Sequence, residues 1–352
     1  MSVRMKEVAS RAGVSVKTVS NVVNGYLHVA PSTRERVQQA IDELGYRPNL
    51  SARSLRSGRT GIIAVAVPRL DEPYFAELAS AVITVAAERG CTVLVEQTDG
   101  LVEREQLAVA GIRPDLIDGL ILSPLALGAD DLLAGSGTST PLVLLGERIS
   151  DTRHDHVAVD NVAAARLATE HLLSLGRTRV AAIGTMDAVT AQTASLRCGG
   201  YREALAAAGL PVLPGHEQEV AGFSRESGAL AADRLLDLPE PPDAVFCFSD
   251  LMALGALHAL HRRGVRVPED VAVIGVDDIA ESRFSTPTLS TVAQDVDEIA
   301  RLAVDALLHR LSDGADDPPR EVTASHELLV RDSTVRSRRP PLGAGSRQSQ
   351  AG

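Results

Sequence analysis

The residues best suited to contact a partner lie near the start of the chain, in Ala12-Gly13-Val14-Ser15-Val16-Lys17-Thr18-Val19-Ser20-Asn21. A lysine can donate to guanine acceptors, an asparagine can pair with the adenine edge, and a valine methyl can touch a thymine methyl. Lys17, Asn21 and Val16 offer these three contacts within two turns of one predicted helix. Thr18 and Ser20 carry hydroxyls suited to phosphate oxygens, contacts that position a protein on a duplex without reading its sequence.

Such a helix has to be presented to DNA, and the flanking residues supply the means. Val19, Val22 and Val23 turn inward by helical spacing, which leaves Val16, Lys17, Ser20 and Asn21 outside. Gly13 can take positive φ in a tight turn that Val14 plugs, the turn of a helix-turn-helix. Three short helices are predicted, ended by Gly13, Gly25 and Gly45. Ser15 is the expected N-cap of the second, and Ser32-Thr33-Arg34-Glu35 is a capping box for the third. Val8, Ala9, Ala12, Val37, Ile41 and Leu44 complete a small core.

Charge agrees with this placement. The 352 residues carry a net charge of −11, but the first 60 hold ten Lys/Arg against four Asp/Glu, a balance of +6. The remainder has 25 against 42, a balance of −17. A cationic head displaces counterions condensed on phosphate, while an anionic body discourages wholesale non-specific binding. Between them, residues 48–60 are basic and rich in small side chains, with Pro48 suited to a helix start. A helix this short is marginal alone and should form only when held by a duplex and a second copy. Arg53 can reach phosphate there, and Leu55 is either an apolar wedge for the minor groove or an incidental leucine in a plain linker.

Val8-Ala9-x-x-Ala12-Gly13-Val14-Ser15-x-x-Thr18-Val19-Ser20-x-Val22-x-Asn24, with Arg34-Glu35-Arg36-Val37 and Gly45-Tyr46-Arg47-Pro48-Asn49, resembles the DNA-binding head of the LacI/GalR family of bacterial regulators. The resemblance runs to about Arg336. It implies that Leu55 intercalates at the centre of a near-palindromic operator, and that residues 61–336 form a periplasmic-binding-protein-like, effector-binding body. Position 21 is Asn where many members carry Arg, which leaves the preferred bases open.

The body reads the same way from its own pattern. Short apolar runs at 62–67, 93–96, 119–123, 142–145, 180–184, 244–248 and 271–276 alternate with amphipathic helices ending at Gly90, Gly176, Gly209 and Gly264. This is the rhythm of two doubly wound α/β lobes with parallel sheets, whose ligands sit beyond the carboxyl ends of the strands. The family resemblance implies three chain crossings between the lobes, near Asp160, Ser290 and Val322. Asp71, Tyr74 and Phe75 follow the first strand, and a carboxylate beside aromatic faces suits a sugar or nucleoside-like ring. Arg197, Phe223, Asp250 and Asp277 resemble the family's effector-contacting positions, in R-x-x-G-Y, aromatic, S-D and G-x-D-D contexts. For Arg197, Asp250 and Asp277 the structural alternative is a helix-capping acid or a lobe–lobe ion pair.

Other classes fit less well. Asp277-Asp278 as an acid/base pair and His154-Asp155-His156 as a metal site lack the partners those chemistries need. No P-loop, nucleophile elbow or other cofactor motif is present. Cys91, Cys198 and Cys247 read as reduced, buried small hydrophobes. Without a membrane-length apolar run or an export leader, a cytoplasmic protein is expected. The expected organisation is a head at 1–47, a hinge at 48–60, a body at 61–336 and a disordered tail at 337–352. The expected function is that of a homodimeric repressor with double-stranded operator DNA and a small, sugar-like effector as partners. The alternative is a regulator whose body binds no small molecule, or answers to a protein.

Overall fold

Gly13, at φ 66°, ends the first helix, α1 (Met5–Ala12), in a conformation that a side chain would strain. The Gly13 and Val14 amides then bond back to the Ser10 and Ala9 carbonyls, a Schellman closure that seats Val14 against the helix it has just left. The turn leads directly into α2 (Val16–Val23), where Ser15 Oγ accepts the Thr18 amide at 3.0 Å. The third helix, α3 (Pro31–Leu44), starts earlier than the capping box suggests. Ala30 is its cap and Pro31 lies in the first turn, so Ser32 sits inside the helix rather than ahead of it. Proline favours that start because its φ is already helical and it has no amide hydrogen to leave orphaned. The same closure at the end of α3 folds Tyr46 onto the core, where it joins Val8, Val19, Val22, Val37 and Ala40.

The computed structural model describes residues 3–23, 26, 28–46, 59–110, 116–128, 131–132, 140–146, 153–186, 192–312, 314 and 317–335. Gly25, Arg47, Arg53, Leu55, the rest of hinge residues 48–58 and the tail lie outside the described residues. The chain divides into two units, Met1–Gly61 and Ile62–Gly352.

The second unit holds two six-stranded sheets. Sheet 1 comprises β1 (Ile62–Val67), β2 (Thr92–Gln97), β3 (Gly119–Leu122), β4 (Leu142–Leu145), β5 (Asp155–Val159) and β11 (Glu321–Ala324). All are parallel, in the order β2-β1-β3-β4-β5-β11. Helices α4 (Pro73–Glu88), α5 (Val102–Ala110) and α10 (Val296–Leu311) cover it. On β1, Ile63, Val65 and Val67 face α4 and α10, while Ala64 and Ala66 face the opposite layer with Ala108, the two-residue alternation of a strand buried on both sides.

Sheet 2 comprises β6 (Val180–Thr185), β7 (Glu217–Glu219), β8 (Ala244–Cys247), β9 (Ala272–Asp277), β10 (Ser290–Gln294) and β12 (His326–Leu329). Its order is β7-β6-β8-β9-β10-β12, with only β12 antiparallel. Helices α6 (Asn161–Ser174), α7 (Gln192–Ala207), α8 (Arg225–Leu236) and α9 (Asp250–Arg262) pack on it. The chain passes between the sheets three times, at Asp160, Asp295 and Ser325, a few residues from two of the three expected points. Asp160 and Asp295 each cap the next helix, accepting the Ala163 and Glu298 amides at 2.8 Å. Ser325 is tied to the second crossing: its amide and hydroxyl both donate to Glu298, at 2.7 and 2.6 Å. No helix among the described residues is long and apolar enough to cross a membrane.

Candidate functional sites in the head and the inter-lobe cleft

On α2, Val16 is 45% exposed, Lys17 is exposed and Asn21 is partly exposed. Lys17 and Asn21 stand opposite the buried Val19 on the helical wheel, which is why they project. Thr18 and Ser20 lie on the flanks. The Thr18 hydroxyl is 2.9 Å from Ser15 Oγ, and Ser20 is buried, its short side chain drawn into the margin of the core. Ser20 is therefore not on the outer face where its spacing placed it.

In the second unit, a cavity of about 390 Å³ opens between the lobes, beyond the carboxyl ends of β1, β3, β6 and β9. Tyr74, Phe75, Arg197, Phe223 and Asp277 line it. Asp71 does not: it pairs with Arg69 at 2.6 Å with its side chain largely exposed, and it is the next residue, Glu72, that faces the cavity. Nor does Asp250, which is fully buried. Its carboxylate accepts from Ser282 Oγ at 2.6 Å, Thr291 Oγ1 at 2.8 Å and the Ile279 amide at 3.2 Å. Burial, with Asp277 nearby, pushes this carboxyl well above its ordinary range. A Cβ on Gly275 would collide with Asp250 Oδ1, so the glycine of G-x-D-D admits the acid alongside β9.

The cavity residues form a chain of polar contacts. Tyr74 donates to Gln294 Oε1 at 3.1 Å, and the Gln294 amide donates to Asp277 Oδ1 at 2.9 Å. Arg197 Nη2 stands 3.7 Å from Asp277 Oδ1, while its Nε donates to Asn161 Oδ1 at 2.6 Å and its Nη1 to the Phe248 carbonyl. Burial pushes the Asp277 carboxyl up to about 7, against the opposing pull of Arg197. Asp277 and Asp278 take φ of 114° and 54°, strained values for residues with side chains. Asp278 turns away from this chain to accept from Arg283 and Arg331, each at 2.6 Å. Asp155 is likewise taken up, by Arg310 at 2.7 and 2.8 Å, and no group of three potential metal ligands occurs among the described residues.

Sequence reasoning missed Gln294 and Asn161. Gln294 ends β10, whose polar start, Ser290-Thr291, hides the strand from an apolar search. Asn161 stands directly after the first crossing, at Asp160, and that position was the available signal.

Residues 4–49 match the family described as bacterial regulatory proteins, lacI family, and residues 169–334 match the periplasmic binding protein-like domain. The HTH-type transcriptional repressor PurR of Aliivibrio fischeri (strain MJ11) is 34% identical over 335 residues, covering 94% of this chain and 98% of PurR. The lac repressor dimer bound to operator and the anti-inducer ONPF superposes with a TM-score of 0.81 at 30% identity, over 95% of this chain and 100% of that one. The complex of the transcriptional regulator CelR with cellobiose gives 0.68 at 34% identity, over 94% and 99%. With a helix-turn-helix head and a two-sheet periplasmic-binding-protein-like body in one chain, this protein belongs to the LacI family of bacterial regulatory proteins, DNA-binding repressors controlled by small-molecule effectors.

Proposed function

We propose that this repressor acts in the cytoplasm as a homodimer on a near-palindromic operator, and that a sugar-like effector in the inter-lobe cleft sets its affinity for that operator. Lys17, Asn21 and Val16 read base edges, Thr18 supports a phosphate contact, and Ser20 steadies the helix from within. In the hinge, Arg53 contacts phosphate and Leu55 keeps the role that the family resemblance gives it, a minor-groove wedge. In the cleft, Arg197 and Asp277 stand side by side and offer a donor and an acceptor to one hydroxyl pair, with Tyr74, Phe75 and Phe223 offering apolar faces to a sugar ring. Asp250 acts at one remove, by fixing the Ile279 turn beside the cavity. The body works as a sensor and not as an enzyme.

The observation that carries this reading is the cleft itself, a cavity of about 390 Å³ that holds an ion pair 3.7 Å apart beside aromatic rings. Selection of the purified protein on a random duplex library, followed by release assays with candidate sugars, tests it. Enrichment of one two-fold symmetric site is expected, because two heads on a dyad demand it. An asymmetric site, or binding without sequence preference, would remove the dimeric reader.

A further inference from the structure

If the cleft is the effector site, its balance of charge bears on which ligand it takes. Among the described lining residues, Glu72, Asp99 and Asp277 are acids and Arg197 is the one base. That guanidinium is already committed to Asn161, the Phe248 carbonyl and Asp277. The cations behind the other two acids do not line the cavity. Arg69 bonds Asp71 and stands 3.5 Å from Glu72, and Arg104 pairs with Asp99.

Three helix N-termini, the other common anion sites, are covered as well. Asp160, Ser224 and Ser249 each accept a backbone amide at the start of α6, α8 and α9, and Glu72 itself precedes α4.

We propose that the cleft is built for an uncharged, hydroxyl-rich ligand and rejects the phosphate ester or carboxylate of the same skeleton; the proposal rests on the effector role assigned to the cleft. An anion needs free donors of positive charge. Here the one cation of the described lining, Arg197, is shared with Asp277, and an anion would lose its own hydration beside three carboxylates. A neutral diol has no such conflict: it accepts from Arg197 Nη2 and donates to Asp277, leaving the charge of the cleft unchanged. The Asp277 carboxyl, already raised by burial, would be driven higher by a second anion.

The test uses the full chain after operator selection. Ribose, glucose and cellobiose are titrated calorimetrically, each beside its phosphate ester, together with inorganic phosphate. At least one neutral sugar should bind, with its ester about tenfold weaker or worse, and inorganic phosphate should give no saturable heat. In the Glu72→Gln/Asp99→Asn double variant the gap between sugar and ester should narrow. An ester as tight as its parent, or saturable binding of inorganic phosphate alone, overturns the proposal. Silence of all three neutral sugars does so too. In each case a selected symmetric operator would leave the DNA-reading function standing, whereas its absence would count against that function separately.

Discussion

Individual side chains decide what the head reads and how the cleft titrates. Lys17 and Asn21 were legible from sequence because helical spacing alone puts them opposite Val19. The place of Ser20 was not, since a flank position is settled by how small the side chain is and by what packs beside it. Replacing Asn21 with Ala should cost about 1–3 kcal/mol of discrimination at one base pair, read as anisotropy titrations on the selected operator and on a scrambled duplex. Equal losses on both would exclude Asn21 from base reading. In the cleft, Asp277 has an ordinary carboxyl pKa when unfolded and one raised to about 7 by burial when folded. Between those values the folded chain holds a proton that the unfolded chain has lost. This contribution to stability is therefore fully present below pH 4 and is lost as pH rises through 7. Asp250, raised in the same direction, adds to the slope. Denaturant unfolding of Asp277→Asn at a series of pH values should give a shallower decline between pH 4 and 7 than the parent shows. An unchanged slope would mean that Asp277 does not titrate there.

At the scale of elements, apolar runs announced β1, β2, β3, β4, β6, β8 and β9, while β5, β7, β10, β11 and β12 went unseen. The reason lies in partners remote along the chain. Asp155 and Thr291 are buried polar residues in strands, satisfied by Arg310 and Asp250, which lie 155 and 41 positions away. Local periodicity carries no sign of such pairs. The loop after β3 is a second case. Glu105, fully buried on α5, accepts the amides of Leu125, Ala126 and Leu127 at 2.8 to 3.2 Å, and so fixes the turn whose Ser123, Pro124 and Leu125 line the cleft. Its sequence context, Glu103-Arg104-Glu105, looks like an ordinary solvated helix face. Glu105→Gln would aim an NH2 at a cluster of amide donors and leave at least one unsatisfied, a loss of about 1–3 kcal/mol. Faster hydrogen exchange at residues 125–127 should accompany it. Unchanged exchange there would show that the turn stands without the carboxylate.

For the whole molecule, the split of charge between head and body could be counted from the sequence, but the balance between the two lobes could not, because it depends on a few contacts across the cleft. Besides the three crossings, Tyr74 on α4 reaches Gln294, and Glu77, one turn further along, accepts the Ala280 amide at 3.1 Å. Ala280 begins the 3-10 helix Ala280–Arg283 beside sheet 2, so Glu77, which does not itself line the cavity, holds the two lobes together beside it. Partial burial raises the Glu77 carboxyl, with the Ala280 amide pulling it back down. On the proposed effector role, in which a ligand draws the lobes together, this contact would favour the closed arrangement from outside the cavity lining. Glu77→Ala should populate the open arrangement, and apparent effector affinity falls by the fraction of closed protein that is lost. Effector-driven change in operator affinity should shrink with it, within the roughly 1–3 kcal/mol common for coupling between sites. Glu77→Gln keeps an acceptor for Ala280 and should stay close to the parent, which separates the hydrogen bond from the charge. Small-angle scattering of the full chain with and without effector, run beside calorimetric affinities, supplies both readouts. If the alanine variant matches the parent in both, Glu77 has no part in the equilibrium between the lobes, which then falls to the crossings at Asp160, Asp295 and Ser325 and to the Tyr74–Gln294 contact.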